Sequence, residues 1–213
     1  MTKKELSRYI SRQIDHIFGY DIDMDIYLSQ AEYKISKCFE ASSNKHFVGG
    51  DIENISVYNS VQYCIVLYIL ANTAYKLDGD GHNAEKLYYL NKVLNSVDIF
   101  YTVEMPEIWG CEHPLSAVMG HAKFGDYFYF YQGCTVGGNY DNYPIIGNNV
   151  RMYSNSTIVG DSVIGNNVII SANTYIKDAT IPDNCIVFGQ SPNITIKKKT
   201  KENIWNMNRD IWK

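Results

Sequence analysis

Apolar side chains recur at every sixth position through the second half of the chain. Phe124, Phe130 and Val136 keep this step and, after one longer interval, so do Ile146, Met152, Ile158, Ile164, Ile170 and Ile176. Two residues before most of them stands a small or compact side chain: Ala122, Cys134, Val150, Ser156, Ser162, Val168 or Thr174, with Phe128 and Pro144 as bulky exceptions. Side chains two apart point the same way from a strand, so each six supplies one short strand with two inward residues. The remaining positions are turn material, as in Gly147-Asn148-Asn149 and Gly165-Asn166-Asn167, where glycine and asparagine accept the left-handed backbone of a corner. A helix cannot produce this pattern, because residues six apart lie on opposite sides of it. The spacing predicts a parallel β-solenoid, whose coils bury their inner faces only by stacking on one another.

The first hundred residues follow a helical period instead. Thr2 and Glu5 form a capping box, and Leu6, Ile10, Ile14 and Phe18 then share one face, predicting a helix over 3–18. Ala31, Ile35, Cys38 and Phe39 predict a second over 26–41, followed by a loop through SSNKH and VGGD. Residues 57–76 read as the longest apolar helix, and 84–97 as the next, with Leu87, Leu90, Val93 and Leu94 inward. Pro106 and Pro114 exclude a continuing helix, which puts the transition between Asp98 and Pro114. Within the solenoid, the ten-residue step from Val136 to Ile146 predicts an expelled loop over 137–143. Past Pro182 the register is expected to fail, with a helix over 201–212 capping the last coil. The fold class is therefore α+β: an α-helical domain at 1–105, a β-helix at 106–196 and a C-terminal tail at 197–213.

Composition removes some functions. A net charge of −4 and a pI of about 5.7 argue against a protein that clamps nucleic acid. The five cysteines have no paired spacing and the charged start MTKKELSRYISRQ has no secretory leader, so a cytoplasmic protein is expected. The most apolar run, Val61 to Ala71, is about half the length of a bilayer span and contains Gln62, so no membrane span is expected.

The candidate chemistry lies where the solenoid opens. His113 precedes Pro114, and Asp98 lies fifteen residues upstream (113 − 98). A carboxylate bonded to one imidazole nitrogen fixes the tautomer and leaves the other nitrogen as a general base. The motifs VIGNNV, IIGNNV and TIVGDS resemble the left-handed parallel β-helix of the hexapeptide-repeat acyltransferases. More narrowly, VDIFYTVEMPEIWGCEHP followed by YQGCTVGG resembles serine acetyltransferase, with Asp98, Glu112, His113, Gln132, Thr135, Gly137 and Gly138 on its pattern over residues 84–193.

That resemblance implies an acetyl-CoA-dependent O-acetyltransferase, with His113 as base, Asp98 orienting it and no covalent intermediate. No metal is expected, on the count of histidines near the solenoid's start. It also implies a homotrimer with CoA lying between two solenoids, along Gly138, Ser154 and Ala172, with Lys177 near the phosphates. One element departs from it. The loop GGNYDNYP carries Asn142 and Tyr143 where the family has an Arg-His pair, so a carboxylate acceptor loses its obvious cation. Glu112, Asn142 and Tyr143 are thus expected to contact a sugar or similar polyhydroxylated acceptor, unless Arg151 of a neighbouring subunit supplies the cation. True serine O-acetyl transfer is the alternative, and an inactive scaffold a further one. A metal enzyme on the same fold needs several histidines, whereas only His113 and His121 lie near the solenoid's start. His121 reads as a surface residue, and His16, His46 and His82 as structural or solvated. Outward Tyr127, Tyr129 and Tyr131 read as a subunit interface, Trp205 and Trp212 as packing residues, and Lys197 to Lys199 as a solvated face.

Overall fold

The structure is a computed structural model and describes residues 1–43 and 52–213. Most of the loop expected after the second helix, residues 44–51 with His46 among them, lies outside the described residues. Helix α1 (Lys3–Phe18) begins on the predicted capping box, with Thr2 Oγ1 accepting from Glu5 N–H at 3.2 Å and Glu5 Oε2 from Thr2 N–H at 2.8 Å. Left-handed Gly19 ends it at φ 61°. Helix α2 (Asp25–Ala41) matches the second prediction. Helix α3 (Ser60–Asp78) starts three residues later than its apolar run implies, because the extended Asn59 accepts from Val61 and Gln62 N–H and fixes the first turn there.

Helix α4 (His82–Asn95) corrects one expectation. Leu87 and Leu90 are buried, but Val93 and Leu94 face outward, and Asn91 and Asn95 take the inner positions. These amides are satisfied there: Asn91 Nδ2 donates to Cys64 O at 3.0 Å and Asn95 Nδ2 to Asn91 Oδ1 at 2.8 Å.

From Asp98 the chain winds as a solenoid of three parallel stacks. Face one contains Asp98–Ile99, Val118–Met119, Thr135–Gly137, Thr157–Val159 and Tyr175–Lys177. Face two contains Trp109–Cys111, Phe128–Phe130, Val150–Met152, Val168–Ile170 and Cys185–Gln190. Face three contains Lys123–Phe124, Ile145–Ile146, Val163–Ile164 and Thr180–Ile181. The inward residues are those of the six-residue pattern: Phe130, Met152, Ile158, Ile170 and Ile176 are wholly buried, with Ser156 and Thr174 beneath them.

The corners are built differently from expectation. Asn149, Asn167 and Asn184 adopt the left-handed backbone, at φ 54°, 56° and 56°, whereas Gly147 and Gly165 do not. The glycines are there for close approach. A Cβ on Gly125 would fall 2.6 Å from the Gly147 carbonyl carbon, and one on Gly147 would fall 2.8 Å from that of Gly165. The asparagines also form a ladder, Asn149 Nδ2 to Asn167 Oδ1 at 3.1 Å and Asn167 Nδ2 to Asn184 Oδ1 at 3.0 Å.

Past Pro182 the register shortens rather than fails. Val150 pairs with Val168 eighteen residues on, and Val168 with Cys185 seventeen on. Cys185 and Val187 therefore stay in the core. Asn193–Lys198 then folds back antiparallel on the last coil, leaving Lys197 and Lys198 exposed.

The C-terminal segment does not cap the coil end. Helix α5 (Lys201–Met207) and residues 208–213 run back across face two as a strap. Ile204 packs on Ile169 and Ile186, Asp210 pairs with Arg151, and Trp212 meets Tyr129, their rings 5.5 Å apart. Trp212 also bridges to Ser42, tying the strap to the end of α2. The tyrosine stripe, expected to face another subunit, is thus covered by its own chain. Tyr129 is only 3% exposed, and Tyr127 lies against both Trp205 and Trp212.

Candidate active site

One edge of the solenoid, where face two turns into face one, gathers most of the predicted site. Its corners follow coil by coil in backbone register: Gly133 N–H donates to Leu115 O at 2.9 Å, Asn155 N–H to Gln132 O at 2.9 Å and Asn173 N–H to Ser154 O at 3.0 Å. His113, Gln132, Ser154 and Ala172 accordingly occupy successive steps of this edge. His113 sits at φ 47°, and its side chain is 71% exposed.

Glu112 is the carboxylate that faces the imidazole. Its Oε1 lies 3.8 Å from His113 Nε2, while its Oε2 accepts from the Tyr129 hydroxyl at 3.1 Å. Burial first, then the Glu112 charge, pushes the Tyr129 phenol far above its ordinary range, so it stays a donor.

Asp98 lies beside this corner, with Asp98 N–H bonded to Ala117 O at 2.9 Å and Ser116 N–H to Ser96 O at 2.7 Å. Its carboxylate is engaged elsewhere: Oδ1 accepts from Tyr88 at 2.8 Å and Oδ2 from Lys92 Nζ at 2.6 Å. The hydrogen bond to Asp98, followed by that to Tyr88, holds the Lys92 ammonium well above its usual range. In this arrangement Asp98 is bonded to the turn that follows His113, and its carboxylate is not bonded to the imidazole. Tyr88 and Lys92 were not anticipated, although Lys92 lies one helical turn past Tyr88, where the pair can share one partner.

Gly138, Asn142, Tyr143 and Lys177 lie at the opposite side of face one. A three-residue strand separates the two edges, roughly 10 Å at 3.3 Å per residue. The expelled loop closes on itself through Asn139 and Asn142. It lays the Tyr143 ring against Gly138, where a Cβ would come 2.7 Å from Cε1, so the space expected beside Gly138 is filled by this ring. His121 stands at this second edge, its ring 6.1 Å from that of Tyr143, and lines a groove of about 580 Å³ with Asp141, Asn142 and Asp161. Arg151 is not a free cation. Its side chain is 3% exposed, bonded to both oxygens of Asp210 at 2.9 Å and to Tyr131, and stacked near Tyr153. Among the described residues no three His, Cys, Asp or Glu side chains cluster as metal ligands, and no helix is long and apolar enough to cross a membrane.

Comparison with known proteins points one way. The family model "bacterial transferase hexapeptide (six repeats)" matches residues 143–178. Serine acetyltransferase of Synechococcus elongatus is 31% identical over 108 residues, 48% of this chain, and the match spans less than half (44%) of that protein's length. Among solved structures, serine acetyltransferase of Neisseria gonorrhoeae in complex with serine aligns with a TM-score of 0.65 at 23% identity, over 80% of this chain and 74% of that one. The Brucella abortus enzyme in complex with coenzyme A aligns at 0.61 and 18% identity, over 83% and 72%. At these identities the structural matches establish the shared fold.

Proposed function

We propose that this chain, a serine acetyltransferase-like hexapeptide-repeat protein, is an acetyl-CoA-dependent O-acetyltransferase with His113 as its general base. The observation that carries the reading is the exposed His113 at the head of an edge on which Ser154 and Ala172 follow in register. Backbone amides and small side chains on such an edge suit the amide-bearing arm of CoA. His113 takes the proton of the acceptor hydroxyl as its oxygen attacks the thioester carbon. The carbon–sulfur bond then breaks, and the imidazolium returns the proton to the departing thiolate. Asp98 takes up its orienting role by exchanging Lys92 for the imidazole, and Lys177 serves the CoA phosphates.

Serine is the favoured acceptor, because the relatives are serine enzymes and one of them holds serine. A polyhydroxylated acceptor remains a second reading, on one observation: Arg151 is locked under the strap, and Asn142 and Tyr143 offer no cation. Free-thiol release from acetyl-CoA decides between them. With serine, kcat/KM is expected to exceed that of the best hexose by at least tenfold, about 1.4 kcal/mol. A hexose preferred over serine would overturn the acceptor assignment, and no thiol release with either would favour a scaffold.

The reading includes a homotrimer. The covered tyrosines no longer argue for it, but Val118 and Tyr175 on face one and Ile145 and Val163 on face three remain exposed apolar groups. Light scattering at micromolar concentration should give three chain masses, and a monomer mass would sink this part. All five cysteines are buried thiols, which supports the reducing compartment of a cytoplasmic protein.

A further inference from the structure

We infer that Tyr129 is a positioning residue that holds the Glu112 carboxylate toward His113, with the C-terminal strap keeping it in place. The inference rests on the general-base reading of His113. Three contacts fix the phenol. Its ring lies so close to Gly110 that a Cβ there would fall 2.9 Å from Tyr129 Cε2. The Trp212 ring closes over it edge-on, at 90° and 5.5 Å. Tyr131 flanks it at 5.6 Å. A ring held this way keeps its oxygen in place, and the hydroxyl donates to Glu112 Oε2 at 3.1 Å.

The other carboxylate oxygen is thereby left toward His113 Nε2, 3.8 Å away. When His113 accepts the hydroxyl proton, a cation forms beside a fixed anion. Without the phenol, the partly exposed Glu112 side chain is free to swing into solvent, where its charge is screened. Trp212 therefore acts on the reacting group through Tyr129 and Glu112, although it touches neither the substrate nor the base.

The test is a double-mutant cycle assayed with acetyl-CoA and serine. Tyr129→Phe keeps the ring packing and removes the donor. It should lower kcat about tenfold with KM for acetyl-CoA unchanged. Glu112→Ala should give a similar loss, and the double variant should be no slower than Glu112→Ala alone, because both changes remove one interaction. A structural role alone predicts losses that multiply and track the melting temperature. Wild-type turnover in Tyr129→Phe, or losses that multiply, overturns the inference. If Tyr129→Phe does not fold, Glu112→Ala still decides, since that side chain is partly exposed and wild-type turnover there removes any role for its holder. The His113→Ala variant separates the two levels. If it is inactive while Tyr129→Phe is normal, only the positioning role fails; if it is fully active, the base assignment fails and the positioning role goes with it.

Discussion

His113→Ala is expected to lower kcat by about two to four orders of magnitude while leaving the affinity for CoA nearly unchanged, the usual worth of a placed general base. The variant should also fold normally. The imidazole is largely exposed and its nearest charged neighbour, Glu112, is 3.8 Å away, so little packing is lost with it. The corner itself is held by the backbone, through Leu115 N–H to His113 O at 2.7 Å, which alanine preserves. Asp98→Asn should cost less, because it perturbs orientation without deleting the base. Initial rates with acetyl-CoA, together with calorimetric titration of CoA, measure both quantities. Near-wild-type turnover of His113→Ala would falsify the assignment of the base.

The second large effect is on stability. Asp210→Ala strips Arg151 of its one anionic partner among the described residues and leaves a guanidinium under the strap. Leaving a buried charge without its partner costs about 3 kcal/mol at the low end of the measured range, and that end applies because only Arg151 is buried while Asp210 is largely exposed. At 213 residues this corresponds to a fall in Tm of roughly 6–12 °C. The double variant Arg151→Met with Asp210→Ala should recover much of the loss, since it buries a thioether where a charge had been stranded. Thermal melts followed by circular dichroism check both. A change in Tm under about 2 °C for Asp210→Ala would mean that Asn208 Oδ1 and the Met207 carbonyl satisfy Arg151 without it.

What the sequence made legible was local or periodic. The six-residue step placed the inward residues of the solenoid because each coil repeats the same two-residue strand geometry. The Thr2–Glu5 box set the start of α1 because all its contacts lie within three residues. Where packing was decided at long range, the pattern misled. Val93 and Leu94 are apolar and outward, while Asn91 and Asn95 are polar and inward, because the carbonyl of Cys64 on α3 supplies a partner that no local window contains. The strap was illegible for the same reason: Asp210 lies fifty-nine residues from Arg151, and neither belongs to a repeat. At the candidate site, the closeness of Glu112 to His113 follows from their adjacency in the chain. The alternation of Phe and Tyr shows Tyr129 to be outward-facing, but its partner depends on how consecutive coils stack.

The strap also changes the kind of transition this solenoid can undergo. A stack whose coils touch only their neighbours behaves as a one-dimensional array, able to lose its last coil while the first stays intact. Here a single segment grips Ile186 on the last coil, Ile169 and Arg151 on the next two, and Tyr129 nearer the first, then hydrogen-bonds the helical region through Lys213 N–H to Ala41 O at 3.0 Å. Fraying at the far end frees Ile204 and loosens a segment whose other grips lie toward the near end. The molecule is in this sense laced, and helices and coils are expected to melt together in one transition rather than neighbour by neighbour.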